Sequence, residues 1–163
     1  MSIVVDTNVP LVAHGSASQA SPECVVSCAR RIRDLCRNGR IVLDDQWRIM
    51  NEYRANLRRT GQPGVADQFL AWVLTNYRNP NRCELVRISP CGPGDSDFAE
   101  FPKDDRLQDF DPSDKKFVAV SLAHSNKPPI LQAVDKKWWY YRSALCENGV
   151  AVEFLCEKDI SAD

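Results

Sequence analysis

The chain has 163 residues, of which 44% are hydrophobic and 26% charged, with 21 basic against 22 acidic side chains. This size and charge balance are typical of one ordinary globular domain. They exclude a large net charge that would attract the whole protein to nucleic acid or a membrane. No apolar run approaches the roughly 20 residues that cross a bilayer, and the N-terminus lacks the basic and apolar regions of a signal peptide. We therefore expect a cytoplasmic protein in which any attraction to phosphate is local.

The first residues of the chain predict a buried strand that ends at an acid. Ile3, Val4 and Val5 are consecutive β-branched residues, which suit a strand covered on both faces in a parallel sheet. Asp6 follows at the carboxyl end of this strand, where ligands bind in open parallel sheets. An acid in this place is also common as a turn or helix cap, so Asp6 alone does not establish a site. Residues 9–20 then predict a short apolar turn and a polar loop.

The next predicted helix begins after Ser21, its cap, and ends at Gly39, with apolar residues at steps of three and four. Another face of this helix carries an arginine stripe formed by Arg30, Arg33 and Arg37. We interpret the stripe either as a solvated surface or as a weak binding surface for nucleic acid or a partner protein.

The chain contains seven cysteines and two histidines, with no C-x-x-C pair, and this spacing argues against a zinc site. Cys24 and Cys28 lie one helical turn apart, but no second pair of ligands is evident. We therefore expect buried, reduced thiols.

A second strand is predicted over 41–43, followed by a helix that either Asp44 or Asp45 caps. Glu52 lies about two turns into this helix, off its apolar stripe. Because the helix begins at the carboxyl end of a strand, Glu52 can lean toward the strand tip that carries Asp6.

The middle of the chain predicts a helix pair, a strand and a long loop. The segment 60–64 breaks the helix, and 65–76 predicts a second, antiparallel helix. A third strand is predicted over 84–88. The loop over 89–110 is rich in acids, Asp97 among them, and is either a solvated insertion or a functional segment.

Further acids lie where a helix begins and where a strand ends. Asp111 is a good cap for the helix that follows it, and Asp114 occupies the third position of that helix; spacing alone does not decide which of them faces a site. A fourth strand over 130–134 ends at Asp135, just as the first strand ends at Asp6.

The end of the chain predicts a helix over 136–149 and a last strand over 150–155. The aromatic run 138–141 either anchors this helix to the sheet or stacks on unpaired bases. We expect a single domain over 1–157 and a frayed acidic tail over 158–163.

Strands and helices alternate along the chain, which predicts an α/β fold, a three-layer α/β/α sandwich with a central, mainly parallel sheet. In this topology the acids that converge at one edge of the sheet are Asp6, Glu52, Asp114 and Asp135. Ionised carboxylates that lie close together need a counter-charge, which a hard divalent cation such as Mg²⁺ or Mn²⁺ supplies. Such a cation activates water and offsets charge in a phosphoryl transition state.

The same acids stand in the order of a known family. The matching segments are Ile-Val-Val-Asp6-Thr7-Asn8, Glu52 in an early helix, Asp114 before Lys-Phe-Val-Ala-Val, and Ala-Val-Asp135. From about residue 2 to residue 156 the chain resembles the PIN-domain nucleases. The resemblance implies a PIN-like fold and an Mg²⁺- or Mn²⁺-dependent endonuclease that usually acts on RNA. It also implies a toxin of a bacterial toxin–antitoxin pair or a phage-defence protein, an antitoxin or other regulatory protein as partner, and a homodimer.

Carried onto this chain, the resemblance implies that the catalytic, metal-binding residues are Asp6, Glu52, Asp114 and Asp135. Asn8 resembles the family's supporting polar residue, and Asp111 and Asp97 are auxiliary or substitute acids. The chain departs from the small bacterial toxins in its acidic 89–110 loop. It also has Asp-Lys-Lys-Trp-Trp after its fourth strand in place of the more usual Asp-Phe ending.

Two other classes stay open on the residues alone. Haloacid phosphatases need a second Asp where this chain has Asn8, and receiver domains need a late lysine that ends its own strand, whereas Lys136 adjoins Asp135. The other alternative is a catalytically silent PIN-like domain that binds RNA or a partner protein through the arginine stripe.

Overall fold

A computed structural model describes residues 1–58 and 62–161 of the chain. Its strands are β1 (Ser2–Val5), β2 (Arg40–Asp44), β3 (Cys83–Val86), β4 (Ile130–Gln132) and β5 (Val152–Phe154). Every pairing between them is parallel, and they form one sheet in the order β3-β2-β1-β4-β5. The predicted parallel sheet is confirmed, although its third, fourth and fifth strands are shorter than expected. Thr60 and Gly61, in the predicted helix break, lie outside the described residues.

The α-helices of the described chain cover both faces of this sheet. They are α1 (Asn8–Ala13), α2 (Pro22–Asn38), α3 (Arg48–Leu57), α4 (Val65–Asn76), α5 (Lys115–Ala123), α6 (Lys136–Tyr140), α7 (Arg142–Glu147) and α8 (Glu157–Ser161). The first four helices pack on one another, and α5 packs against β1, β2 and β4. Right-handed crossovers place these two groups on opposite faces, which gives the predicted three-layer sandwich. None of the described helices combines the length and apolar character of a membrane-spanning helix.

The direction in which the chain adds strands reverses beside β1. From β1 the chain moves outward through β2 to β3, and it then returns to place β4 on the other side of β1. Helices on opposite faces leave a crevice at such a switch point, beyond the carboxyl ends of the two strands. Asp6 is the first residue after β1, and it lies at this crevice.

The segment after Asp6 forms a helix where the sequence predicted a short apolar turn. Pro10 is the third residue of α1, where a backbone N–H has no intrahelical acceptor, so a proline costs the helix little. Val9 and Val12 are fully buried by this arrangement. Burial of the apolar face therefore decides the local conformation, and the predicted turn was wrong.

The 89–110 loop is packed only in its second part: residues 89–96 are exposed, as expected of a solvated insertion, whereas the segment from Phe98 to Phe110 is anchored in the core. Phe98, Phe101, Leu107 and Phe110 are all buried. The ring of Phe110 lies 5.1 Å from that of Trp138, at nearly a right angle. These contacts fix the chain immediately before the acids that open α5.

The end of the chain is more ordered than the sequence predicted. The helix expected over 136–149 is divided at Tyr141, whose ring packs on Phe110. The expected frayed tail is helical through Ser161, because Ile160 is buried and the Ser21 N–H donates to the Asp159 carboxylate at 2.8 Å. Residues 162–163 of that tail lie outside the described chain.

The expectation of reduced cysteines was wrong for one pair. Cys24 of α2 and Cys156, which follows β5, form a disulfide with their Cα atoms 5.3 Å apart. They are separated by 132 positions, so sequence spacing gave no signal of the pairing. Cys28 is a free thiol whose Sγ lies 3.7 Å from that of Cys156. Burial and the charge of Asp159 raise the pKa of the Cys28 thiol to about 12.

Asp44, and not Asp45, holds the start of α3. Its fully buried carboxylate accepts the N–H groups of Gln46, Arg48 and Ile49 at 3.1, 2.9 and 2.9 Å. These donors have no intrahelical acceptors at a helix start, so the charged acceptor replaces the water they lose on burial.

Asp44→Ala is therefore expected to lower the free energy of unfolding by about 2–4 kcal/mol, because three N–H groups, that of the buried Ile49 among them, lose their acceptor. Urea unfolding followed by circular dichroism measures the change. Asp34→Ala, at an exposed position of α2, is the control and is expected to change the free energy by less than about 0.5 kcal/mol. Equal effects of the two substitutions would contradict the capping role.

Candidate functional site

Asp6 is a buried acid at the floor of the crevice between β1 and β4. Its side chain is 5% exposed, and the Asn8 N–H donates to its Oδ2 at 3.0 Å. The pKa of Asp6 lies well above its usual range, first because burial removes water and then because Asp114 and Glu52 add negative charge nearby. The crevice therefore disfavours the ionised form of Asp6 unless a positive charge is bound beside it.

Glu52 reaches the same crevice from α3, as the sequence predicted. The hydroxyl of Thr7, the residue after Asp6, donates to Glu52 Oε2. The Lys116 ammonium lies 2.7 Å from Glu52 Oε1. α3 is held in this position by Tyr53, whose hydroxyl donates to the carbonyl oxygen at the end of β1. The neighbouring Glu52 is thereby directed to the tip of the same strand.

Asp114 is the acid of the α5 start that faces the crevice. Burial raises its pKa to about 7, with the charges of Asp111, Asp135 and Glu52 acting in the same direction and Lys116 against them. The charges of three other acids thus act on the Asp114 carboxyl. Asp114 is therefore the central acid of the cluster in electrostatic terms.

Asp111 has a different role, which spacing alone did not resolve. Its carboxylate accepts the Ser113 N–H at 3.0 Å and the Ser113 hydroxyl at 2.8 Å, and it lies 3.4 Å from the Lys137 ammonium. These contacts lower the pKa of Asp111. Asp111 is therefore a cap of the short helical turn that leads into α5, at the margin of the acidic cluster.

Asp135 completes the set at the start of α6, where its Oδ1 accepts the Lys137 N–H at 2.9 Å. The preceding residue, Val134, donates its N–H to Asn8 Oδ1 at 2.9 Å. Asn8 therefore ties the tip of β1 to the segment that carries Asp135. This contact gives a physical basis for the supporting role that was expected of Asn8.

The four predicted acids surround one crevice but do not meet at a point. Within 1–58 and 62–161, the group of potential metal ligands whose ligand atoms all lie within 4.8 Å of one another is a trio of cysteines, and no three of the acids meet that criterion. Mutual repulsion accounts for the wider spacing. Mg²⁺ usually binds through one or two carboxylates and keeps several waters, so close approach of all four is not required.

The residues of the crevice fit a hard divalent cation. The donors are oxygens, and Lys116 already serves as a partial counter-charge. Gln132 is fully buried beside Asp6, and a hydrogen bond from its side chain acts to lower the pKa of Asp6 against the larger effect of burial. Two carboxyls with raised pKa values at one edge of the sheet indicate a candidate functional site.

Other predicted residues lie away from this cluster. Asp97 pairs with Lys115 at 3.4 Å, and the members of the arginine stripe are exposed on α2. Of the aromatic run, Trp138 is buried and anchors α6, while Tyr140 is 77% exposed. The anchoring interpretation is confirmed for Trp138.

Sequence reasoning missed Lys116, Thr7 and Gln132 as members of the site. Gln132 could have been recognised in the sequence, since it is a polar residue inside an apolar strand.

Comparison of the chain with models of known protein families, with curated proteins and with solved structures gives no match. The chemistry of the crevice is therefore inferred from its own residues.

Asp114→Asn is expected to raise the melting temperature in EDTA at about pH 8 by roughly 2–4 °C, or about 1 kcal/mol for a chain of this size, because it removes a repelled charge. Since the pKa of Asp114 is raised to about 7, its native carboxyl binds a proton more tightly than the unfolded one. Its contribution to stability therefore falls as pH rises from about 4 to about 7, and the variant lacks this fall.

Thermal unfolding across that pH range checks both effects. Asp111→Asn is the matched comparison, because the favourable contacts that lower the pKa of Asp111 oppose any relief of its repulsion of Asp114, so this variant is expected to raise the melting temperature less than Asp114→Asn does. A lower melting temperature for Asp114→Asn than for the parent would contradict the crowding of charge at Asp114.

Proposed function

We propose that this chain is a PIN-like, Mg²⁺- or Mn²⁺-dependent endonuclease that hydrolyses phosphodiester bonds, with RNA as its preferred substrate. The observation that carries the proposal is the gathering of Asp6, Glu52, Asp114 and Asp135 at the switch-point crevice, with the pKa values of Asp6 and Asp114 raised. Crowded carboxylates destabilise a fold unless a cation offsets them. Perturbed acids in a cleft at a sheet edge are therefore typical of functional sites.

The proposed metal ligands are the four acids, with Asp6 and Asp114 central. When bound there, Mg²⁺ or Mn²⁺ would activate water for attack on phosphorus and offset the charge of the transition state. Asn8 keeps β1 and the Asp135 segment in register, and Thr7 orients Glu52. Lys116 neutralises part of the cluster before a cation is bound.

A second feature supports nucleic acid as the substrate. A cavity of about 560 Å³ lies beside Asp111, at the margin of the acidic cluster. It is lined by Lys136, Lys137 and the exposed Tyr140, among others. Ammonium groups attract phosphates and an exposed ring stacks on an unpaired base, so a single strand fits this surface best.

The biological role that we propose rests on the family resemblance. PIN-domain nucleases often act as toxins of bacterial toxin–antitoxin pairs or in phage defence, and a cytoplasmic location suits both roles. An antitoxin or another regulatory protein is the corresponding partner, and a homodimer the corresponding assembly. A silent PIN-like domain that binds RNA or a partner is the alternative, and the following assay separates the two.

Asp6→Asn is expected to slow Mn²⁺- or Mg²⁺-dependent cleavage of labelled single-stranded RNA at least about 100-fold, because the cation loses its most buried ligand. Cleavage of RNA and DNA oligonucleotides is measured with each metal and with EDTA. Asp105→Asn, an exposed acid outside the crevice, is the control and is expected to cleave like the parent.

The outcomes are distinct. If Asp6→Asn cleaves as fast as the parent, the assignment of the four acids is wrong. If the folded parent binds the oligonucleotide in EDTA but cleaves nothing with either metal, the silent binding domain is the better description.

Lys116→Gln is expected to tighten Mn²⁺ binding about tenfold, or about 1.4 kcal/mol, because the cation no longer competes with an ammonium for Glu52. Isothermal titration calorimetry measures the affinity. Lys115→Gln is the matched control, since Lys115 pairs with Asp97 instead. Unchanged or weaker Mn²⁺ binding by Lys116→Gln would show that Lys116 does not compete with the cation.

A further inference from the structure

We propose a second metal site, formed by Cys24, Cys28 and Cys156, that binds a thiophilic ion such as Zn²⁺ when the Cys24–Cys156 disulfide is reduced. The Sγ atoms of these residues all lie within 4.8 Å of one another, and all three residues are buried. Three thiolates without a competing hard ligand favour Zn²⁺ or Cu⁺ over Mg²⁺ or Ca²⁺. This site is separate from the acidic crevice and does not depend on the proposed nuclease function.

The spacing of the sulfurs suits tetrahedral coordination. Zn–S bonds of about 2.3 Å place two thiolate sulfurs about 3.8 Å apart. The Sγ atoms of Cys28 and Cys156 lie 3.7 Å apart. Cys24 and Cys28 project from the same side of α2, because residues four apart are neighbours on a helix. After reduction, Cys24 needs only a side-chain adjustment to become the third ligand.

The cluster is held together by contacts other than the disulfide. The Ser21 N–H, at the start of α2, donates to Asp159 in α8 at 2.8 Å. Ile160 is buried in the core. These contacts keep Cys156 beside α2 when the S–S bond is broken. The Asp159 carboxylate acts electrostatically on the Cys28 thiol and lines the cavity beside Cys24 and Cys156, so it is one candidate for a fourth ligand, with water as the other.

A cavity of about 280 Å³ beside the cluster is lined by Cys24, Cys156 and Asp159, among others. Glu23 and Glu157 also line this cavity, and the three acids outnumber its one base, Lys158, so its net charge attracts a cation.

The two states of the site exclude each other chemically. A dithiol reductant supplies two electrons and two protons, the S–S bond breaks to give the thiols of Cys24 and Cys156, and the reductant becomes a disulfide. Binding of the metal then releases thiol protons, since thiolates are the ligands. In the oxidised state Cys28 is the free thiol among these three cysteines. A reducing cytoplasm therefore favours the metal-binding state.

Cd²⁺ titration of the full chain tests the site, because thiolate-to-cadmium charge-transfer absorption reports sulfur ligation and not carboxylate ligation. The reduced chain is expected to bind one Cd²⁺ with this absorption, and the oxidised chain to show none. Cys28→Ser is expected to weaken the reduced chain's binding at least tenfold. Cys83→Ser removes a buried cysteine of β3 and is the matched control, with binding like that of the parent.

Thiol titration in denaturant verifies the starting states, with five reactive thiols in the oxidised chain and seven after reduction. Three results would overturn the proposal. They are absence of the charge-transfer band in the reduced chain, equal binding by Cys28→Ser and parent, and an equal loss in Cys83→Ser. Melting curves of the two variants confirm that both are folded when binding is compared.

Discussion

The sheet is joined in its middle by the four residues of β1. Ser2 and Ile3 pair with β2, whereas Val4 and Val5 pair with β4. The strand therefore passes from one neighbour to the other along its length, and it connects the β2–β3 half of the sheet to the β4–β5 half. The positions of the residues around the crevice depend on this pairing of β1 with two neighbours, because Asp6 is the residue that follows β1.

This arrangement also explains why the acids crowd together. Parallel strands end at the same edge of the sheet, so the chain reaches that edge repeatedly, and helices begin there. An acid at a helix start is locally favourable, because it caps N–H groups and meets the helix dipole. Asp44, Asp111 and Asp135 all accept backbone N–H groups in this way. Asp6 also accepts a backbone N–H, from Asn8, yet its pKa and that of Asp114 are raised, so local structure does not account for these two acids.

Much of the fold could be predicted from the sequence because its signals are local. Consecutive β-branched residues marked β1, and the cap and proline at Ser21 and Pro22 marked the start of α2. The α1 helix, the disulfide and the packing of the 89–110 loop could not be predicted in the same way. Each depends on what lies opposite in the folded chain, such as Trp138 against Phe110.

The candidate site likewise has features that could be predicted from the sequence and features that depend on the folded chain. The order of strands and helices in the sequence was enough to predict that Asp6, Glu52, Asp114 and Asp135 lie at one edge of the sheet. Topology alone determines which edge a strand end occupies. The roles of Asp111 and Asp114 could not be separated by spacing, because two acids three positions apart in one tight turn differ only in which way their side chains face. Lys116 could not be predicted as a residue of the site, because a lysine two positions after an acid is ordinary in any helix. Only folding brings Lys116 to Glu52.

The packed loop has a mechanical consequence for the crevice. Through Phe110 and Trp138 it joins the start of α5, with Asp114, to the start of α6, with Asp135, while the Thr7–Glu52 contact joins α3 to the tip of β1. Polar contacts from Lys116 to Glu52 and from Val134 to Asn8 connect these two sides of the crevice. If the proposed cation binds there, these contacts limit how far the crevice can widen, so the radius of the cation matters as well as its charge.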